Sequence, residues 1–197
     1  MSKEKVDPNK PSLSVLFPTP LGVSKLDHAK HEKKINKTLK VVKVKNKEGI
    51  LSNSKIKALN GEVKDFLDVW TENTGYHKSR IDLSWYAAAD TDQDIPFNDE
   101  LAAYIEGVYF LEVEENSPPM QFQDPKATLF NNDYNVFSDK QTVFNTEYIN
   151  YNPKVGDLIL FPGYLRHRVP KSKKGGIKVI RFTCIPEKPL AADKNDK

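Results

Sequence analysis

At Gly75 the hydrophobic period of this 197-residue chain changes from that of a helix to that of strands, and it does not change back. Upstream, Ile56, Leu59, Val63, Phe66, Leu67 and Trp70 recur at steps of three and four, so they line one face of a helix. Asn53 or Ser54 is suited to cap its start, and Gly75 suits the left-handed position just past its end. Downstream, Ile81, Leu83, Trp85 and Ala87 alternate with Asp82, Ser84 and Tyr86, the period of a strand. Aromatic and branched residues continue that preference over about 103–113. The short runs MQFQ, YINYN, LILF, LRHRVP and IKVIRFTCI then follow, separated by proline and glycine turns. Helices first and many short strands afterwards, with no βαβ alternation and no internal repeat, predict a mainly β, α+β domain. Its expected form is an antiparallel sandwich or barrel backed by one or two helices.

Ahead of that helix, LSVLFPTPLGVSKL (13–26) is apolar and strand-leaning, but Pro18 and Pro20 restrict it to a sheet edge or a bent strand. Asp27 is placed to cap a lysine-rich helix from about His28 to Lys40, with Ile35 and Leu39 as a thin apolar stripe. Residues 1–11 and 187–197 are polar and read as loose tails. The expectation is a single domain over 12–186, with its helical part at about 28–75.

The composition, with 38% hydrophobic and 10% aromatic residues, is that of a globular chain rather than a disordered one. No apolar run is long enough to cross a bilayer, and MSKEKVDPNKPS at the N-terminus lacks the apolar core of a signal peptide. A lone cysteine, Cys184, leaves no internal disulfide and no cysteine cluster for a metal. The expected setting is a reducing one, a cytoplasm or a particle assembled in one. The net charge of +3 is a balance of 30 basic and 27 acidic residues, not a polyelectrolyte surface. Lysines do cluster at 30–47 and 171–174, but no aromatic residues interleave them to stack bases, so they read as solvated faces rather than a nucleic-acid footprint.

The chain has four histidines, His28, His31, His77 and His167. His28 and His31 sit three apart on a lysine-rich helix, where positive charge opposes a metal, and read as a solvated pair. His77 lies just past a helix end, where a cation favours the helix dipole. His167 follows the buried-looking strand 158–161 and the break Pro162-Gly163, and Arg181 lies fourteen residues further on. By strict alternation Ile177, Val179, Arg181, Thr183 and Ile185 share one face of the last strand, and Ile180, Phe182 and Cys184 share the other. Both faces are apolar, so Arg181 has no easy route to water. A buried guanidinium needs an anion, because leaving it unpaired costs several kcal/mol. Two partners are open to it: an internal Asp or Glu, or a ligand carboxylate held bidentately, with the Thr183 hydroxyl beside it.

The run NPKVGDLILFPGYLRHRVPKSKKGGIKVIRFT closely resembles the last strands of 2-oxoglutarate/Fe(II) oxygenases found in tailed phages, notably marine T-even-like ones, and in bacteria. The resemblance extends back through AAYIEGVYFLEV, MQFQDP and DLSWY to LFPTP, and covers about residues 13–186. It implies a double-stranded β-helix, the jelly roll of cupin-like proteins. It also implies an iron held by two histidines and a carboxylate, with 2-oxoglutarate chelating the metal and a strand arginine holding its far carboxylate. On this resemblance His167 is the distal histidine ligand, and Arg181 with Thr183 is the 2-oxoglutarate anchor. The family carries His-x-His or His-x-Asp shortly before a strand reading roughly SGVYYL. Here that strand reads EGVYFL, and counting back nine and seven residues from Gly107 reaches Asn98 and Glu100, with Asp99 between them. No histidine lies between His77 and His167, so the implied triad is eroded to one histidine, a carboxylate from Glu100 or Asp99, and the Asn98 amide. Such a set suits Mg²⁺ or Mn²⁺, weakly, better than Fe(II).

Three functions follow as expectations. One is a phage virion or assembly module that kept the β-helix and lost catalysis, with other protein subunits as partners (copies of itself or virion proteins), and with neither membrane nor nucleic acid. Another is an active hydroxylase using Fe(II) and 2-oxoglutarate through a non-standard ligand set. The third is a metal-free binder of a small carboxylate, or of a partner's acidic side chain, at Arg181.

Overall fold

A strand that is apolar on both faces needs a layer on each side, and the last strand of this chain has both. The computed structural model describes residues 19–41, 49–96, 103–125 and 146–188. Within it eight strands form: β1 (Gly22–Lys25), β2 (Ser79–Ala89), β3 (Ile105–Val113), β4 (Met120–Gln123), β5 (Tyr148–Tyr151), β6 (Asp157–Pro162), β7 (His167–Arg168) and β8 (Ile177–Pro186). Two helices, α1 (His28–Val41) and α2 (Lys57–Thr74), precede β2. One face of β8 sends Ile180, Phe182 and Cys184 into a core shared with the helices. The other sends Ile177 and Val179 into a second core. The molecule is therefore three layers deep: helices, a large sheet and a small sheet.

The large sheet has the order β1-β6-β3-β8-β2, the small one β5-β4-β7, and every pairing is antiparallel. Central β3, β6 and β8 are the most apolar strands because each is covered on both sides. The proline-bounded segment expected at an edge does end in the edge strand β1, paired only with β6 among the described residues. Its first part, 13–18, lies outside the described residues, as do 1–11 and all but 187–188 of the expected tails.

The helices behave largely as their periods predict. Asn53 accepts a hydrogen bond from the Lys55 N–H (3.0 Å) and caps a short 3-10 turn, Ser54–Ile56, that leads into α2. Gly75 closes α2 in the left-handed conformation, φ +76°. Leu59, Val63, Leu67 and Trp70 pack from α2 onto Tyr109, Leu158, Leu160 and Phe182 of the large sheet. Gly107 of β3 is required by this packing, since a Cβ there would stand 2.0 Å from the Phe182 ring.

On α1 the histidines depart from the solvated pair expected of them. The buried face is His31, Ile35 and Thr38, with Leu39 at its margin. His31 Nε2 lies 3.1 Å from Glu62 Oε2 and Lys30 Nζ lies 2.5 Å from Glu62 Oε1, so Glu62 clamps α1 to α2. His28 Nδ1 is 2.9 Å from the buried Tyr109 hydroxyl. Spacing marks which residues share a helix face but not what packs over it, and α2 and β3 supply that partner here. No helix among the described residues is long and apolar enough to cross a membrane.

Candidate functional site

The face of β8 that looks toward the small sheet carries Arg181 and Thr183, both buried. Register sets their neighbours. Arg181 stands opposite Val108 on β3 and Trp85 on β2, and Thr183 stands opposite Glu106 on β3. Glu106 is thus the diagonal neighbour of Arg181 on the same face, within reach of a long side chain. From the small sheet, β7 pairs His167 with Phe122 of β4 and presents the imidazole to the same interior, against the Phe161 ring at 4.7 Å.

Among the described residues three ionisable side chains, from three strands, therefore meet between the sheets. His167 is 1% exposed, Glu106 2% and Arg181 6%. Arg181 Nη2 lies 2.9 Å from His167 Nε2 and 3.3 Å from Glu106 Oε2, while His167 Nε2 and Glu106 Oε2 are 3.7 Å apart. The guanidinium also lies over the Trp85 ring, 5.2 Å from its centroid, an arrangement in which the ring quadrupole attracts the cation.

The proton inventory follows from these distances. His167 Nδ1–H donates to the Leu165 carbonyl at 3.1 Å, so Nε2 is the acceptor nitrogen and receives an N–H from Arg181. Burial, helped by the adjacent guanidinium, pulls the His167 pKa down to about 3, so the ring is neutral. Arg181 and Glu106 are an oppositely charged pair beside a neutral imidazole, and pairing is what lets ionised groups persist in a core.

Of the two kinds of partner open to Arg181, the structure supplies an internal one, Glu106. Glu106 is also the site residue that sequence reading passed over. It alternates with Val108 and Phe110, so it is an acidic residue at a core-facing position of a strand, which is the same signal that marked Arg181.

Arg181 and Thr183 thus share the inward face of β8, and His167 meets Arg181 from the opposing sheet. Asn98, Asp99 and Glu100, the other implied ligands, lie outside the described residues. The described donors do not fit an iron with its 2-oxoglutarate. The one imidazole nitrogen that could bind a metal accepts from Arg181, and a cation placed there would meet a guanidinium. Glu106 already holds the arginine that a cosubstrate carboxylate would need. Among the described residues no three His, Cys, Asp or Glu side chains converge to hold a metal ion.

Residues 84–180, a little under half of the chain, match a family model described as "Putative 2OG-Fe(II) oxygenase". No curated protein matches the sequence. Among solved structures, HygX from Streptomyces hygroscopicus with iron bound is similar at a TM-score of 0.60 and 11% identity, over 86% of this chain and 83% of that one. The viral collagen prolyl hydroxylase vCPH from Paramecium Bursaria Chlorella virus-1 is similar at a TM-score of 0.57 and 12% identity, over 91% of this chain and 98% of that one. The non-heme alpha ketoglutarate dependent epimerase SnoN, from nogalamycin biosynthesis, gives 0.56 and 8%, over 85% and 79%. At such identities the likeness carries the fold, and the fold is the α+β double-stranded β-helix of 2-oxoglutarate/Fe(II) oxygenases.

Proposed function

We propose that this chain is a 2-oxoglutarate/Fe(II) oxygenase-type jelly roll that has given up catalysis and serves as a structural, assembly or binding module of a tailed-phage particle. The observation that carries the loss of catalysis is the engagement of Arg181 by both Glu106 and His167. The nitrogen an iron would use and the guanidinium a cosubstrate would use are engaged with one another. The sequence resemblance to phage proteins, with Asn98 where that family has a histidine, supports the same reading. An assembly role draws support from the edges of the two sheets. Exposed Val23 lies on β1 and exposed Ile149 on β5, each the edge of its sheet among the described residues and a place where another subunit can add contacts. Such a module works in the host cytoplasm or in the particle itself.

The test is an anaerobic titration of the purified protein with Fe(II) and 2-oxoglutarate, followed by aerobic assay of succinate. The expected result is no visible charge-transfer band at millimolar cosubstrate and no iron-dependent succinate. Succinate release that requires Fe(II) and disappears in His167→Ala would overturn the proposal in favour of an active hydroxylase with a non-standard ligand set. The assembly role predicts that the protein co-purifies with phage particles; its absence from purified particles would remove that part.

A further inference from the structure

Glu106 reaches the guanidinium from the neighbouring strand, and its position is unusual for an acid. Its neighbours on the same face of β3 are Val108 and Phe110, both in the inter-sheet core, and its own exposure is 2%. An acid is costly there unless it answers a cation. The cation is fixed from other directions, by the Trp85 ring beneath it and by the His167 imidazole at 2.9 Å.

We infer that Glu106 is a built-in ligand: its carboxylate takes, within the chain, the place on Arg181 of a small molecule's carboxylate, and truncating it opens a site for a small carboxylate anion. The inference rests on the reading of this site as closed to oxygenase chemistry and adds what closes it. Glutamate and alanine differ by a methylene and a carboxylate, which are the heavy atoms of acetate. Removing them leaves space beside the Arg181 guanidinium, with Thr183 opposite on β8, the His167 imidazole close by and Val108 next on the same face of β3. The ligand chemistry is therefore a monocarboxylate of acetate size, or the terminal carboxylate of a longer acid such as 2-oxoglutarate.

The experiment is chemical rescue in the full chain. Glu106→Ala and Glu106→Ser are unfolded thermally in increasing sodium acetate, formate or 2-oxoglutarate, with sodium chloride at matched ionic strength as the control. The expected result is a melting temperature below wild type by on the order of 10 °C, which rises saturably with at least one carboxylate and not with chloride. The wild type and the double variant Glu106→Ala/Arg181→Met show no such response. If the single variants do not fold on expression, the same comparison is made on the yield of folded protein after dilution from urea into acetate or into chloride. No response to any carboxylate beyond that to chloride overturns the inference, as does an equal response in the Arg181→Met background. Iron-dependent succinate release by the wild type would sink the proposed loss of catalysis. A missing rescue with no such turnover sinks the built-in ligand alone.

Discussion

Replacing Arg181 with methionine keeps an unbranched stem, two atoms shorter, and removes the cation between Glu106 and His167. At the 3.3 Å separation of Nη2 and Oε2, and an effective dielectric constant of about 20, the lost attraction is about 5 kcal/mol. That is a gross figure, because both ions were desolvated on folding, so the pair contributes little net stability. The single variant nevertheless leaves a carboxylate, 2% exposed, without that counter-charge, and breaking a buried pair in this way costs about 3–5 kcal/mol. Glu106→Leu is expected to cost less, because Arg181 keeps its contacts with His167 and Trp85. The double variant Glu106→Leu/Arg181→Met exchanges the ion pair for apolar side chains and is expected to fall within about 1–2 kcal/mol of wild type. Urea unfolding of the four proteins at pH 7.5, with midpoints compared at unchanged slope, measures the cycle. The reasoning is refuted if Arg181→Met costs under about 1 kcal/mol, or if the single losses add in the double variant to within about 0.5 kcal/mol.

Other consequences of the same geometry are testable. His167 titrates near 6.5 in the unfolded chain and at about 3 in the fold, so its contribution is full above pH 6.5 and is lost as pH falls through that window. Between pH 7 and pH 5 the wild type should lose about 2 kcal/mol, close to 1.5 pH units at 1.36 kcal/mol each, that His167→Gln does not lose; parallel stability–pH curves would refute it. Gly107→Ala drives a methyl group to within 2.0 Å of the Phe182 ring and should cost about 1–3 kcal/mol. Much of that loss should return in Gly107→Ala/Phe182→Leu, and a melting temperature unchanged in the single variant would show that the ring is free to move.

Much of the architecture was legible because period and burial are local signals. The switch at Gly75, the amphipathic helix before it and the two apolar faces of 177–185 each required a particular layer, and those layers are present. His28 and His31 were less legible. Lysines surround them in sequence, yet Glu62 lies thirty-one residues from His31 and Tyr109 eighty-one from His28, and only folding makes them neighbours. The same holds at the site. Sequence marked Arg181 as a buried cation in need of an anion, because a charged residue on a two-faced apolar strand has nowhere to take its charge.

Sequence by itself determined the order of elements, the two-sided burial of β8 and the demand that Arg181 be answered. Only the tertiary structure decided which group answers it. Pairing of β3 with β8 places Glu106 opposite Thr183 and diagonal to Arg181, and packing of the small sheet brings His167 onto the same guanidinium. Strand register is a long-range property, set by how whole faces of apolar residues match across a sheet, and a shift of one residue would have turned Glu106 to the other face.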